Sequence, residues 1–179
     1  MKKKSLAALS VLAASLAVSV MIVHPSGAQD APPPIAVEVL TPRSTFVDDV
    51  DLGVRTRLDG RGAPVIKVTE PSRTVVARIT IQPGAQFPWH THSGPVFINI
   101  AKGEFVYVQA DDCEPRTYPA GTALVDPGRG NVHTAFNPGD EETVVLATFF
   151  EATEAGPLTI TEGVEPPDDC DIEVGSHAH

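Results

Sequence analysis

The 14 glycines and 17 prolines in this chain of 179 residues constrain its fold more than any other feature. Together they make up 31 of the 179 residues, a larger share than the roughly 12% that glycine and proline usually supply. Proline interrupts helix interiors, and both residue types favour turns. The excess therefore argues against a helical bundle and favours short strands joined by turns.

Short β-prone runs lie between these turn residues, and no amphipathic run is long enough to predict a substantial helix. Alternation is clearest over residues 74–82, which Pro83-Gly84 terminates. Ala101-Lys102-Gly103 predicts a tight hairpin between two of the runs. Many short strands at regular spacing predict an all-β sandwich or barrel. The predicted strands are 35–40, 64–68, 74–82, 96–100, 104–109, 123–125, 131–136 and 143–150.

The charge and motif content exclude several classes of function. A formal net charge of −10 argues against a nucleic-acid partner, because a phosphate backbone would be repelled. The sequence has no Ser-His-Asp order, nucleophile elbow, phosphate-cradling glycine loop or CxxC motif. Hydrolases and nucleotide-dependent enzymes therefore have no support, whereas 42% hydrophobic residues are sufficient for a packed core.

The N-terminal residues predict a secretory signal peptide over 1–28. Three lysines precede an apolar run, and Ser26-Gly27-Ala28 supplies small residues where a signal peptidase would cut. Cleavage would remove three lysines and no acidic residue, which takes the net charge from −10 to −13. An uncleaved membrane anchor is the alternative, since the run approaches the roughly 20 residues that span a bilayer. We expect a secreted or cell-envelope protein, outside the cytoplasm and without a membrane association after cleavage.

Two cysteines, Cys113 and Cys170, would meet oxidising conditions in an exported protein. A disulfide between them is the preferred interpretation, and two unrelated thiols are the alternative. The bridge would attach the acidic C-terminal tail, residues 153–179, to the body of the protein.

The histidines are the candidate metal ligands. His90 and His92 are two apart, so in an extended chain both side chains point to the same side. His133 comes from a later predicted strand and could complete one face of a metal site with open positions. Ordinary polar strand histidines are the alternative, and the second HxH pair, His177 and His179, is interpreted as having no role.

The spacing around these histidines resembles the two motifs of the cupin superfamily. Gly84, His90, His92 and Gly103 match the first motif. The second motif is matched by Gly121, Pro127, Gly130, His133 and Asn137. More narrowly, the segment 89–95 resembles small single-domain cupins with a Trp-His-x-His-x-Gly-Pro sequence and a late cysteine. The resemblance implies a jelly-roll (double-stranded β-helix) barrel, whose histidines point into its mouth.

The chain departs from the cupin pattern at two places. Val96 stands where the first motif has a glutamate ligand, and one extra residue lies between Pro127 and Gly130. The usual three-His-one-Glu site is therefore replaced by a three-His candidate for Fe, Mn, Zn, Ni or Cu. Three neutral imidazoles leave the metal charge uncompensated and favour an anionic or chelating substrate. Gln86 shares strand parity with His90 and is a weaker candidate ligand.

Several functions are compatible with the sequence. Three-His cupins that resemble this arrangement include iron dioxygenases, so metal-dependent oxygen chemistry on a small molecule is one hypothesis. A non-catalytic small-molecule binding module and a metal-free secreted interaction protein are the alternatives, and a homodimer is compatible with the sequence. The predicted organisation is a signal peptide at 1–28, a linker and arm at 29–62, the barrel at 63–152 and the tail.

Overall fold

The computed structural model describes residues 34–58, 61–62, 65–69 and 73–172, and all of its secondary structure is β. The predicted signal peptide and the C-terminal His177–His179 pair lie outside the described residues. The strands are β1 Ile35–Val39, β2 Asp51–Val54, β3 Arg57–Leu58, β4 Arg61–Gly62, β5 Ile66–Thr69, β6 Val75–Ile81, β7 Val96–Lys102, β8 Glu104–Gln109, β9 Arg116–Pro119, β10 Ala123–Asp126, β11 His133–Phe136 and β12 Thr143–Phe149. Within this part of the chain, no helix has the length and apolar character that a membrane span requires.

Two antiparallel sheets enclose the core. The larger has the strand order β1-β6-β12-β7-β10, and the smaller has the order β11-β8-β9. Buried residues alternate along β6 and β12, because successive side chains of a strand point to opposite faces. The main cluster of buried apolar side chains draws on both sheets, with Ile79 and Val145 from the larger and Phe105 from the smaller. The all-β jelly roll is thus confirmed.

The hairpin predicted at Ala101-Lys102-Gly103 is wrong. β7 lies between β12 and β10 in the larger sheet, whereas β8 lies between β11 and β9 in the smaller one. The chain changes sheets at Gly103, which has a φ of 74°. A glycine favours such a corner as readily as a hairpin turn, so local sequence does not distinguish the two.

A second apolar cluster attaches the C-terminal segment to the smaller sheet. Val106, Val108 and Phe136 are its buried members, and Cys170 and Ile172 pack against them. A disulfide joins Cys113 to Cys170 across a sequence separation of 57. Buried positions therefore run without alternation from Phe105 to Gln109, because side chains cover β8 on both faces.

Candidate metal centre

Backbone pairing brings the three predicted histidines together. Residues 86–91 run beside β11 and form bridges between Gln86 and Phe136 and between His90 and His133. His92 follows two residues after His90 on the same side. All three imidazoles are buried, and one potential ligand atom of each lies within 4.8 Å of those of the others.

Hydrogen bonds orient each of these imidazoles through its Nδ1 atom. The Nδ1 of His90 lies 2.7 Å from the carbonyl of Pro88, and that of His92 lies 2.7 Å from the carbonyl of Leu158. A carbonyl only accepts hydrogen bonds, so both Nδ1 atoms must carry the proton. This tautomer leaves the Nε2 lone pair of each ring free for a metal ion.

Burial keeps two of the imidazoles uncharged. It is the largest cause that lowers the pKa of His90 to about 3, and the neighbouring His133 and His92 lower it further. The pKa of His92 is also lowered, again mainly by burial. Metal binding requires neutral imidazole, so these two side chains meet that requirement at neutral pH.

The third histidine has a different partner. His133 directs its Nδ1 at the carboxylate of Asp126, at 3.0 Å, and lies 3.3 Å from the carbonyl of Asn131. Burial alone would raise the pKa of Asp126, but its hydrogen bonds to His133 and Tyr107 and its electrostatic interaction with the neighbouring imidazoles lower it to about 2. Asp126 is therefore an anion that lies behind the site, on the far side of His133 from Nε2.

Asp126 and its neighbour Tyr107 were not predicted from the sequence as residues of this site. The Tyr107 hydroxyl donates to Asp126 at 2.5 Å, and burial is the largest cause that raises the pKa of this phenol. The available signal was slight: Asp126 directly precedes Pro127 of the second motif, where an aspartate is ordinarily interpreted as a turn residue.

Gln86 and Val96 contribute no charge to the site. Gln86 is exposed, and its amide donates to the Thr134 hydroxyl at 3.2 Å rather than joining the histidines. Val96 is buried and lines the cavity with an apolar side chain. The candidate ligand set within the described residues is thus three imidazoles.

The extra residue of the second motif is accommodated in a loop over His92. Gly128, Arg129 and Gly130 all have positive φ, and the Arg129 amide donates to the His92 carbonyl at 2.8 Å. The Gly130 amide donates to the Thr91 hydroxyl at 3.1 Å. The loop therefore supports the segment that carries the first two histidines.

A small apolar cavity adjoins the three imidazoles. Its volume is about 40 Å³, and its walls include Phe87, Val96, Ile98 and Phe149. At roughly 10–15 Å³ for each water molecule, this is room for about three water molecules. The histidines, Tyr107 and Thr159 are its polar lining residues.

The sequence matches the model of one protein family, described as "Cupin domain", over residues 77–149. No curated protein matches it. The solved structures to which the chain is similar include a cupin-like protein from Thermotoga maritima, at 25% identity over 44% of this chain and 58% of that one, with a TM-score of 0.41. The polyketide cyclase RemF from Streptomyces resistomycificus is 20% identical over 52% of this chain and 64% of that one, with a TM-score of 0.43. KdgF from Halomonas sp. is 17% identical over 70% of this chain and 88% of that one, with a TM-score of 0.45. The chain thus spans less than two thirds of the first two of these proteins.

Proposed function

We propose that this chain, whose residues 77–149 match the cupin domain family, binds one divalent transition metal ion through His90, His92 and His133. The observation that carries the proposal is the convergence of three buried imidazoles whose Nδ1 atoms are already hydrogen-bonded. Imidazole nitrogens suit Fe, Ni, Cu and Zn, and three of them leave coordination positions open for a ligand.

The lining of the site supports a small anionic or chelating ligand. With Val96 at the position of a ligand glutamate, the three imidazoles contribute no negative charge to the metal. An anionic group on the ligand would supply it. Because the cavity measures about 40 Å³, only the coordinating end of a larger molecule would enter it. Its apolar walls favour hydrocarbon next to that end.

Dioxygenase-type chemistry on this ligand is the catalytic form of the proposal. A redox-active metal would supply the Lewis acidity and electron transfer. The protein's own contribution would be to orient three imidazoles and to exclude bulk water through Phe87, Phe105 and Phe149, which line the cavity.

A non-catalytic binding module is the second candidate. Apart from the three histidines and Tyr107, the residues that line the described cavity include no titratable group that could act as a general acid or base. An oxygen-consumption screen of the metal-loaded protein over small diketones, thiols and phenols separates the two candidates. Consumption that depends on substrate supports the enzyme, and its absence across the panel supports the binding module.

Metal analysis of untagged protein, purified without chelator, tests the metal site itself. We expect about one equivalent of a transition metal in the wild-type protein and its loss in the H90A/H92A variant. The matched control is H177A/H179A, which removes the other HxH pair and should retain the metal. Wild-type protein without stoichiometric metal, even after incubation with Zn²⁺ or Co²⁺, would refute the proposal.

We also propose that the protein is exported. The disulfide between Cys113 and Cys170 supports an extracytoplasmic location, because such bonds persist under oxidising conditions. Sequencing the N-terminus of the secreted protein should find Gln29. An intact N-terminus in the membrane fraction would instead support the anchor.

A further inference from the structure

Asp126 is a buried carboxylate that is not among the candidate metal ligands. It ends β10 and is 0% exposed to solvent. Its Oδ2 accepts hydrogen bonds from the Tyr107 hydroxyl at 2.5 Å and the Asn131 amide at 3.0 Å, and it lies 3.0 Å from His133 Nδ1. Its Oδ1 accepts from the Gly128 amide at 2.7 Å. A buried charge is costly unless hydrogen bonds compensate it, and four donors surround this carboxylate. The arrangement therefore indicates that Asp126 is buried as an anion.

The strand register places this carboxylate beside the position where a ligand carboxylate is missing. β10 pairs antiparallel with β7, and Asp126 is the direct cross-strand partner of Val96. Directly opposite residues of an antiparallel pair lie on the same face of the sheet. Both side chains are buried, with Val96 lining the cavity and Asp126 contacting His133 from behind.

The three imidazoles consequently differ as donors. Those of His90 and His92 donate to the neutral carbonyls of Pro88 and Leu158. The imidazole of His133 directs the same atom at a carboxylate. A charge-assisted hydrogen bond is stronger than one to a neutral acceptor, and a carboxylate partner increases the basicity of the histidine's other nitrogen.

We propose that Asp126 is a positioning residue that supplies, through His133, part of the negative charge that Val96 cannot supply as a ligand. The inference rests on the proposed metal site. In this arrangement the carboxylate lies on β10, one strand away from the ligand position at Val96, and it acts on the metal through the imidazole of His133. A metal ion held by the three imidazoles would then have no direct carboxylate ligand, and His133 would be its strongest imidazole donor.

The affinity of purified, chelator-treated protein for Zn²⁺ and Co²⁺ tests this inference. Removal of such a partner typically weakens metal binding by about 10–100-fold, so we expect that loss in D126N. The control is Y107F, which removes one donor to Asp126 but keeps its charge, and we expect a change of less than about 5-fold. A D126N affinity within about 3-fold of the wild type would overturn the inference.

A charge-relocation pair separates charge from shape. Adding V96E to D126N returns a carboxylate to the ligand position and should recover most of the lost affinity. Adding V96Q, which has nearly the same shape without the charge, should not. Equal affinities of V96E/D126N and V96Q/D126N would overturn the role assigned to the charge.

A measurement on the wild-type protein keeps the inference testable if D126N fails to fold. In the metal-free protein, the Nδ1 proton of His133 should resonate downfield of those of His90 and His92, because it is donated to an anion. A His133 protonated at Nε2, or without the downfield shift, would overturn the inference. If the wild type binds neither Zn²⁺ nor Co²⁺, both the proposed metal site and this inference are refuted. If the wild type and D126N bind the metal equally well, the inference alone is refuted.

Discussion

His90 is a base that the fold keeps uncharged, and this makes the stability of the metal-free protein depend on pH. Its pKa is about 3 in the folded protein against 6.5 for the unperturbed side chain. Between these two pH values the unfolded chain therefore binds more protons than the folded chain. The stability that neutral His90 contributes is fully present above pH 6.5 and is lost as the pH falls toward 3.

Through His90 alone, we expect the unfolding free energy of chelator-treated protein to fall by about 1.4 kcal/mol for each unit by which the pH is lowered below 6.5. Urea denaturation between pH 4 and pH 7 measures this slope. The matched variant H90Q should show a shallower slope, because glutamine does not titrate. Equal slopes for the two proteins would contradict the expectation.

Single residues differ in how far the sequence predicts their role. His90, His92 and His133 stand at recognisable spacings, and the structure brings them together. Asp126 was not predicted, because its relation to His133 depends on pairing between strands that are distant in sequence. Its relation to Val96 likewise depends on the register of β10 against β7.

The loop 127–130 contacts the backbone of His92, and its conformation depends on two glycines. Gly128 has a φ of 61°, and a Cβ there would lie 2.0 Å from the carbonyl oxygen of Gly94. Gly130 has a φ of 88°, but a Cβ there would meet nothing within 4 Å. A substitution at Gly128 would therefore cost both a steric clash and backbone strain, whereas one at Gly130 would cost backbone strain alone.

We expect G128A to lower the unfolding free energy by about 3 kcal/mol or more, since a steric clash adds to the cost of left-handed backbone. G130A should cost only about 1–2 kcal/mol, because it suffers the strain alone. Urea denaturation of both variants gives the comparison. A G128A no less stable than G130A would show that the Gly94 backbone yields to the added methyl group.

Most strands were predictable from local sequence, whereas their partners were not. β6 and β12 follow the alternation expected of strands with one buried face. The hairpin between β7 and β8 was expected and is absent, because the two strands belong to different sheets. Local sequence determines that a chain turns at Gly103, and packing around the shared core determines in which sheet it continues.

At the scale of the whole molecule, the disulfide joins two distant parts of the chain. Cys113 follows β8, and Cys170 packs with Ile172 against the second apolar cluster, on the smaller sheet. Between β12 and Cys170, the chain forms a bridge from Ile160 to Thr91 and supplies the Leu158 carbonyl to His92. The C-terminal segment therefore both covers a sheet and orients a candidate ligand.

We expect reduction of the disulfide to lower the unfolding free energy by about 4 kcal/mol, as the chain-entropy model gives for a loop with a sequence separation of 57. Denaturation with and without reductant measures the loss. The C113S/C170S variant serves as the control and should be insensitive to reductant. A wild type whose stability reductant leaves unchanged, after complete thiol release, would contradict the expectation.

The class of fold, most of the strands and the spacing of the three histidines were predictable from the sequence, because alternation, turn residues and motif spacing are local properties. The pairing of the strands, the contact of Asp126 with His133 and the hydrogen bond from His92 to the Leu158 carbonyl were not. These contacts join residues far apart in the chain, and only the register of paired strands and the packing of the shared core bring them together.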